Sequence, residues 1–329
     1  MIKEKTRNST VKSSLVGALG KTIDSLRLSI TDRCNLRCLY CMPAKCVKWV
    51  PHSERLQFDE TLKICRILAG LGIRAVKITG GEPAMDQRLV DYVKELKAIK
   101  GIKRVTMTSN GVLLGKHLPA LAAAGLDGIN ISLDTLSKET FKSLTTVDGL
   151  EYVLSAIDQA VELGLKVKIN SVPVRGFNEN DIVKLAALAK DGNLTVRFCE
   201  LMPFGVAAKL QPIRTNEAAS LIEKEYGPMK PSVVKLGNGP AVYYSLPGFT
   251  GHIGFINAAN RDSCEMLRLS CSGNLYPYLF SDLSLNLRGL IRESASREEI
   301  KDIIRNLKLN NQRPVSRGFG KKEMFRIGG

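Results

Sequence analysis

Three cysteines, Cys34, Cys38 and Cys41, fall in the short run TDRCNLRCLYC with the spacing C-x3-C-x2-C. Thiolates are soft donors that select zinc or iron–sulfur clusters over hard cations. Three of them on one loop can hold three corners of a 4Fe–4S cube, and the fourth iron is then left without a protein ligand. An open iron binds and activates a small molecule. The same three sulfurs would instead build a closed zinc knuckle if Cys46 or His52 supplied the fourth ligand. The cysteines by themselves favour the cube and leave the zinc site open.

A second cluster of chemistry-bearing residues follows: Thr79-Gly80-Gly81-Glu82-Pro83. Paired glycines at the carboxyl end of a strand let backbone approach a ligand closely, and Glu82 adds a charge beside it. Alone, the tetrapeptide Gly80-Gly81-Glu82-Pro83 means a turn. Its weight comes from the elements that carry it. β-branched runs alternate with helical patterns at regular pitch, the mark of repeated βα units. Strands are expected at LRLSIT from Leu26, AVKIT from Ala75, RVTMT from Arg104, GINISL from Gly128, KVKINSV from Lys166 and TVRFCEL from Thr195. Between them, Phe58, Leu62, Cys65, Leu68 and Leu71 repeat at helical spacing, as do Tyr152, Leu154, Ile157 and Val161. The fold class this predicts is α/β, a partial (β/α)6 barrel with a C-terminal α+β appendage. The expected divisions are a flexible basic segment over 1–20, the barrel over 21–212, a substrate-covering region over 213–310 and an extended basic tail over 311–329.

Side chains alternate between the two faces of a strand. One face carries Leu26, Leu28 and Ile30, and the other carries Arg27, Ser29 and Thr31. Lys77 and Thr79, Thr106 and Thr108, Asn130, Ser132 and Asp134, Lys168 and Asn170, and Arg197 continue the second set. A closed barrel fills its interior with branched apolar layers. Here the inward face is polar and cationic on strand after strand, which predicts a ligand in the lumen. The chain's 48 basic against 32 acidic residues, a formal +16, favour an anionic one. Eight dilute cysteines and the absence of an apolar leader in the first twenty residues point to a reducing, cytoplasmic setting. No apolar run reaches bilayer length, so no membrane association is expected.

Cysteine loop and GGEP together resemble the radical S-adenosylmethionine superfamily. Within it, LRLSITDRCNLRCLYCMP, VKITGGEP, TSNG, INISLDTL, KINSVPVRGFN, VRFCELMP, YYSLPGF with GHIGF, and the final Arg326-Ile327-Gly328-Gly329 are similar to successive blocks of the GTP 3',8-cyclase family of molybdenum cofactor biosynthesis. The resemblance implies a radical enzyme that cleaves S-adenosylmethionine reductively and abstracts hydrogen from the sugar of a nucleotide-like substrate, driving C–C bond formation or cyclisation. It implies a 4Fe–4S cluster on Cys34, Cys38 and Cys41, and an electron donor such as flavodoxin or ferredoxin. Tyr40, Gly80, Gly81, Glu82, Ser132, Asn170 and Met202 would surround S-adenosylmethionine. Arg27, Lys77, Lys168, Arg197 and Arg268 would hold the nucleotide, and the terminal Gly328 and Gly329 would reach into the active site. A homodimer is compatible with the family.

One departure stands out. The family's second cluster rests on three cysteines in the C-terminal part, and those places hold Arg261, Cys264 and Tyr278 here, with Met266 where an arginine is usual. The expectation is therefore one cluster and an altered base pocket. A non-catalytic or regulatory homologue is the alternative; the intact cysteine trio and GGEP argue against it. A nucleic-acid modifier would fit the charge, but 6% aromatic residues and no recognisable nucleic-acid-binding motif argue against that too. Three further features are assigned structural roles. Cys65 belongs to the core, His117 to a helix surface, and the charges of the Arg297 to Leu307 helix to i,i+4 pairs.

Overall fold

The computed structural model describes residues 15–17, 20–45, 47–192, 194–203, 205–234, 236–237, 239–257, 266–279, 281 and 283–307. Cys46, Arg261, Cys264 and the tail from 308, with Gly328 and Gly329, lie outside them. Of the first twenty residues, Leu15 is buried and Val16 bridges Thr22.

All six expected strands form: β1 (Ser25–Ser29), β2 (Ala75–Thr79), β3 (Arg104–Ser109), β4 (Gly128–Ser132), β5 (Val167–Ser171) and β6 (Thr195–Cys199). They pair in sequence order and in parallel. Helices α1 (Phe58–Gly70), α2 (Leu89–Ala98), α3 (Leu118–Ala123), α4 (Lys138–Thr145), α5 (Leu150–Glu162) and α6 (Ile182–Ala187) make the crossovers. The outward strand positions pack on them. Leu28, Ile78, Met107, Ile131, Ile169 and Phe198 are each at most 1% exposed, and burying one such side chain stabilises the fold by about 1.5–3 kcal/mol.

The C-terminal part does more than cap this barrel. After α7 (Thr215–Tyr226) come β7 (Lys230–Pro231), β8 (Val242–Ser245), β9 (His252–Ile256), β10 (Leu267–Leu269), β11 (Asn274–Tyr276) and β12 (Leu285–Asn286), then α8 (Leu287–Arg292) and α9 (Arg297–Asn306). β9 joins β6 in parallel and β10 joins β1 in parallel, so the appendage lengthens the barrel sheet at both edges. The result is one 12-stranded sheet in the order β12-β11-β10-β1-β2-β3-β4-β5-β6-β9-β8-β7. β7–β8–β9 and β10–β11–β12 are antiparallel meanders hung on that parallel centre.

Three local expectations are corrected. The buried stripe of α5 is Leu150, Val153, Ala156, Ile157 and Ala160; of the expected set, Ile157 belongs to it, Leu154 and Val161 pack partly buried against the core, and Tyr152 is 65% exposed. On α9 the ion pairs are i,i+3, Lys301 to Glu298 and Arg305 to Asp302, because charges four apart in Arg297–Asn306 have the same sign and opposite charges stand three apart. His117 is half-buried rather than at the surface, its Nε2 lying 3.2 Å from the Ala84 carbonyl. Burial, and secondarily Lys116, lowers its pKa. Cys65 is in the core, as expected. Among the described residues no helix is long and apolar enough to cross a membrane.

Candidate active site

Main-chain bonds tie the loop after β1 to its neighbours on two sides. Gly81 N–H donates to the Thr31 carbonyl at 2.7 Å and Glu82 N–H to the Arg33 carbonyl at 2.7 Å, zipping the loop to the end of β2. On its other side, Arg37 N–H and Leu39 N–H donate to Thr145 and Leu144 at the end of α4, both at 2.9 Å. A turn in which Cys41 N–H reaches the Cys38 carbonyl closes the loop. The glycine pair owes its identity to this zipper. A Cβ on Gly80 would stand 2.4 Å from the Thr31 carbonyl oxygen, and one on Gly81 would stand 2.2 Å from that of Arg33. The close approach anticipated for a ligand is therefore, first, an approach of strand to cysteine loop.

Cys34, Cys38 and Cys41 line one wall of a cavity of about 290 Å³ at the carboxyl ends of the strands. Burial pushes the Cys34 thiol up to about 11, and burial followed by the neighbouring Cys41 lifts Cys38 well above the usual range. Without a metal these are thiols; ligation is what makes them thiolates. Among the described residues no three His, Cys, Asp or Glu side chains converge as the ligands of one ion do. Three cysteines lining one cavity are the donor set of a polynuclear cluster, in which each thiolate takes its own iron.

Opposite the loop, Glu82 is 1% exposed. Its carboxylate accepts from Ala84 N (2.9 Å), Ser109 Oγ (2.8 Å) and Asn110 N (2.6 Å). Burial raises its pKa, and it has no cationic partner among the described salt bridges. Asn110 also donates to Asn35 and reaches the Cys34 sulfur at 3.8 Å. Tyr40 donates its hydroxyl to Asp134 Oδ2 at 2.5 Å, and Val172 N–H holds Asp134 Oδ1 at 2.7 Å. Burial carries the Asp134 carboxyl up to about 6. Asp134 is on the inward face of the β4 exit but was given no site role from sequence; its position two residues past Ser132 was the available signal.

Fourteen of the residues given a metal, cofactor or substrate role from sequence come together around this cavity: Arg27, Cys34, Cys38, Tyr40, Cys41, Lys77, Gly80, Gly81, Glu82, Ser132, Asn170, Arg197, Met202 and Arg268. Met42, Asn110, Glu200, Ile256 and Leu279 are among the residues that line it without having been given a role. Lys168 does not reach it. Its ammonium donates to the Leu236 carbonyl and lies 5.7 Å from the Tyr243 ring, in a second cavity nearer the strand starts. Two buried atoms lining the first cavity have no partner, Asn170 Oδ1 and Arg197 Nε. Leaving such groups unsatisfied costs about 1–3 kcal/mol each, so the cavity is built around a polar occupant.

Residues 28–189 match the Radical SAM superfamily model, and 194–315 match Molybdenum Cofactor Synthesis C. The chain is 39% identical to GTP 3',8-cyclase of Petrotoga mobilis, over 96% of this chain and all of that one. It is 40% identical to that of Thermodesulfovibrio yellowstonii, covering 94% and 98%. The chain belongs to the GTP 3',8-cyclase family of radical S-adenosylmethionine enzymes. Membership brings a 4Fe–4S cluster and S-adenosylmethionine as cofactors, and makes it an enzyme rather than a regulatory remnant. Streptococcus suis SuiB bound to S-adenosylmethionine shares the fold, with a TM-score of 0.63 at 14% identity over 88% of this chain and 67% of that one.

Proposed function

We propose that this member of the GTP 3',8-cyclase family binds a nucleotide in the lumen, with its sugar toward the cysteine loop, and starts a cyclisation by hydrogen abstraction from that sugar. The observation that carries the reading is the meeting, in one cavity, of three cysteines at one end and four cations, Arg27, Lys77, Arg197 and Arg268, further in. Cys34, Cys38 and Cys41 hold one cube. The chemistry a bound cube and S-adenosylmethionine supply is one-electron cleavage of the sulfonium, giving methionine and a 5'-deoxyadenosyl group able to take a hydrogen atom.

The chain's own residues orient and enclose. Glu82, a buried carboxylate with no cation, accepts an amino group from the cofactor. Asn170 Oδ1 provides a further unoccupied acceptor, Ser132 a hydroxyl, and Met202 an apolar wall. Tyr40 is held in place against Asp134. Arg27, Lys77, Arg197 and Arg268 bind phosphates through charge-assisted bonds.

Met266, which lines the cavity, and Tyr278 replace polar and sulfur ligands of the family pattern, so the base is held by a pocket of different chemistry and a single cluster suffices. The enzyme works in the cytoplasm, with flavodoxin or ferredoxin supplying the electron. Anaerobic reconstitution with iron counting tests this directly. About four irons per chain are expected for one cube, with 5'-deoxyadenosine formed on reduction; about eight irons overturns the single-cluster reading, and failure to cleave S-adenosylmethionine overturns the whole.

A further inference from the structure

The exit of β3 places Ser109 and Asn110 in the wall of the reaction cavity. Both grip Glu82, Ser109 through its hydroxyl at 2.8 Å and Asn110 through its main-chain N–H at 2.6 Å. Asn110 also reaches the cluster side. Its Nδ2 donates to Asn35 Oδ1 at 2.8 Å and to the Cys34 sulfur at 3.8 Å. Its own Oδ1 accepts from the Val112 N–H at 3.1 Å, and that bond decides which end of the amide faces the loop. A flipped amide would set a donor against the Val112 N–H and an oxygen against a cluster ligand. The turn that presents the amide is itself tied, since Gly111 N–H donates to Ser109 Oγ at 3.0 Å.

One residue thus touches both the acceptor aimed at the cofactor and a ligand of the cluster. Cys34 becomes a thiolate when it takes an iron, and a donor bond to a charged acceptor is stronger than one to a neutral one. Burial, and the Glu82 charge, push the Cys34 thiol up; the Leu36 N–H, the Asn110 amide and the Arg37 guanidinium act against them. The amide is therefore a favourable partner for negative charge on this sulfur. Reduction of a cube adds one such charge, shared over its sulfurs. Hydrogen bonds to those sulfurs, with burial and net charge, set the potential at which the electron enters. Glu82, buried and carrying its own charge close by, works in the opposite direction.

We infer that Asn110 is a positioning residue with two separable contacts: its main-chain N–H aims Glu82 at the cofactor, and its side-chain amide, donating to the Cys34 sulfur, raises the cluster's reduction potential and eases entry of the first electron. The inference rests on the cluster that family membership brings and not on the nucleotide.

A redox titration of the anaerobic, cluster-loaded full chain, followed by electron paramagnetic resonance with no nucleotide present, tests it. Asn110→Ala keeps the main-chain N–H and removes the amide. Its reduction equilibrium should become about tenfold less favourable, a fall of about 59 mV for one electron, while iron stays at about four per chain and S-adenosylmethionine binds as in the wild type. Ser109→Ala should do the reverse, because it removes a Glu82 bond and leaves the sulfur contact in place: S-adenosylmethionine affinity falls about tenfold and the potential is unchanged. Pulsed resonance on reduced wild-type protein with isotopically labelled asparagine side-chain amides should show a nitrogen coupled to the cluster, an arm independent of how any variant folds. Absence of that coupling, or an unchanged potential in Asn110→Ala, overturns the inference. So does an equal fall in Ser109→Ala, which would mark a general loosening of the β3 exit. A chain that shows the expected shifts yet abstracts no hydrogen from a nucleotide would sink the proposed reaction and leave the role of Asn110 standing.

Discussion

At the cofactor end of the lumen, position is enforced by backbone: the cysteine loop is zipped to β2 through Gly81 and Glu82 and to α4 through Arg37 and Leu39, and Glu82 has each carboxylate oxygen engaged. At the strand-start end, cations on long side chains surround a larger space, and the one carboxylate lining it among the described residues, Asp127, is already engaged by Lys97. The first arrangement tolerates almost no displacement; the second tolerates displacement but responds to charge. A cluster and a chelated cofactor need fixed geometry, whereas an anionic ligand is satisfied by field and by mobile donors.

Substitutions should separate these two designs. The largest effect is expected for Cys34→Ala, which removes one corner of the cube: iron falls from about four per chain to near none, and 5'-deoxyadenosine formation is abolished. Next is Gly81→Ala. Its Cβ meets backbone rather than a flexible side chain, so thermal or denaturant unfolding should show a loss of about 1–3 kcal/mol, together with reduced iron loading. An unchanged unfolding midpoint would remove the claim that the glycine serves the loop.

At the other end the sensitive variable is pH. Lys168 has a folded pKa of about 8, below its ordinary 10.5. Between these values the unfolded chain binds the proton more tightly, so wild-type stability should rise as pH climbs from about 8 toward 10. Lys168→Met should flatten that rise. A parallel pH dependence in wild type and variant would break the comparison. The smallest effect is expected at Gly239, which lines both cavities but whose Cβ would meet nothing within 4 Å. Gly239→Ala should change unfolding stability by no more than about 0.5 kcal/mol, in contrast to Gly81→Ala.

Much of this was legible locally. Each barrel strand is a short β-branched run whose partner lies one crossover away, so the period of two and the crossover helices sufficed. Inward polarity on successive strands foretold a lumen ligand, and most of those residues do line it. What was not legible shares a cause. Tyr152 and Val153 lie on equally periodic stripes, and only the sheet beneath chose between them. Gly80 and Gly81 do line the cavity, but that the backbone approaching them is Thr31 to Arg33 was hidden because it comes from some fifty residues earlier in the chain. Lys168 has the right parity for the lumen, but parity says nothing of depth, and it opens into the second cavity.

By itself the sequence determined the thiolate trio, the alternation that makes a polar lumen, and the order of the βα units, since all three depend on neighbours a few residues apart. Only the tertiary structure decided that β9 and β10 extend the barrel from both edges, that Asp134 clamps Tyr40 across the lumen, and that a second, cationic cavity opens at the strand starts. Those outcomes depend on strand pairing, burial and charge summed over residues distant in sequence, which no local pattern encodes.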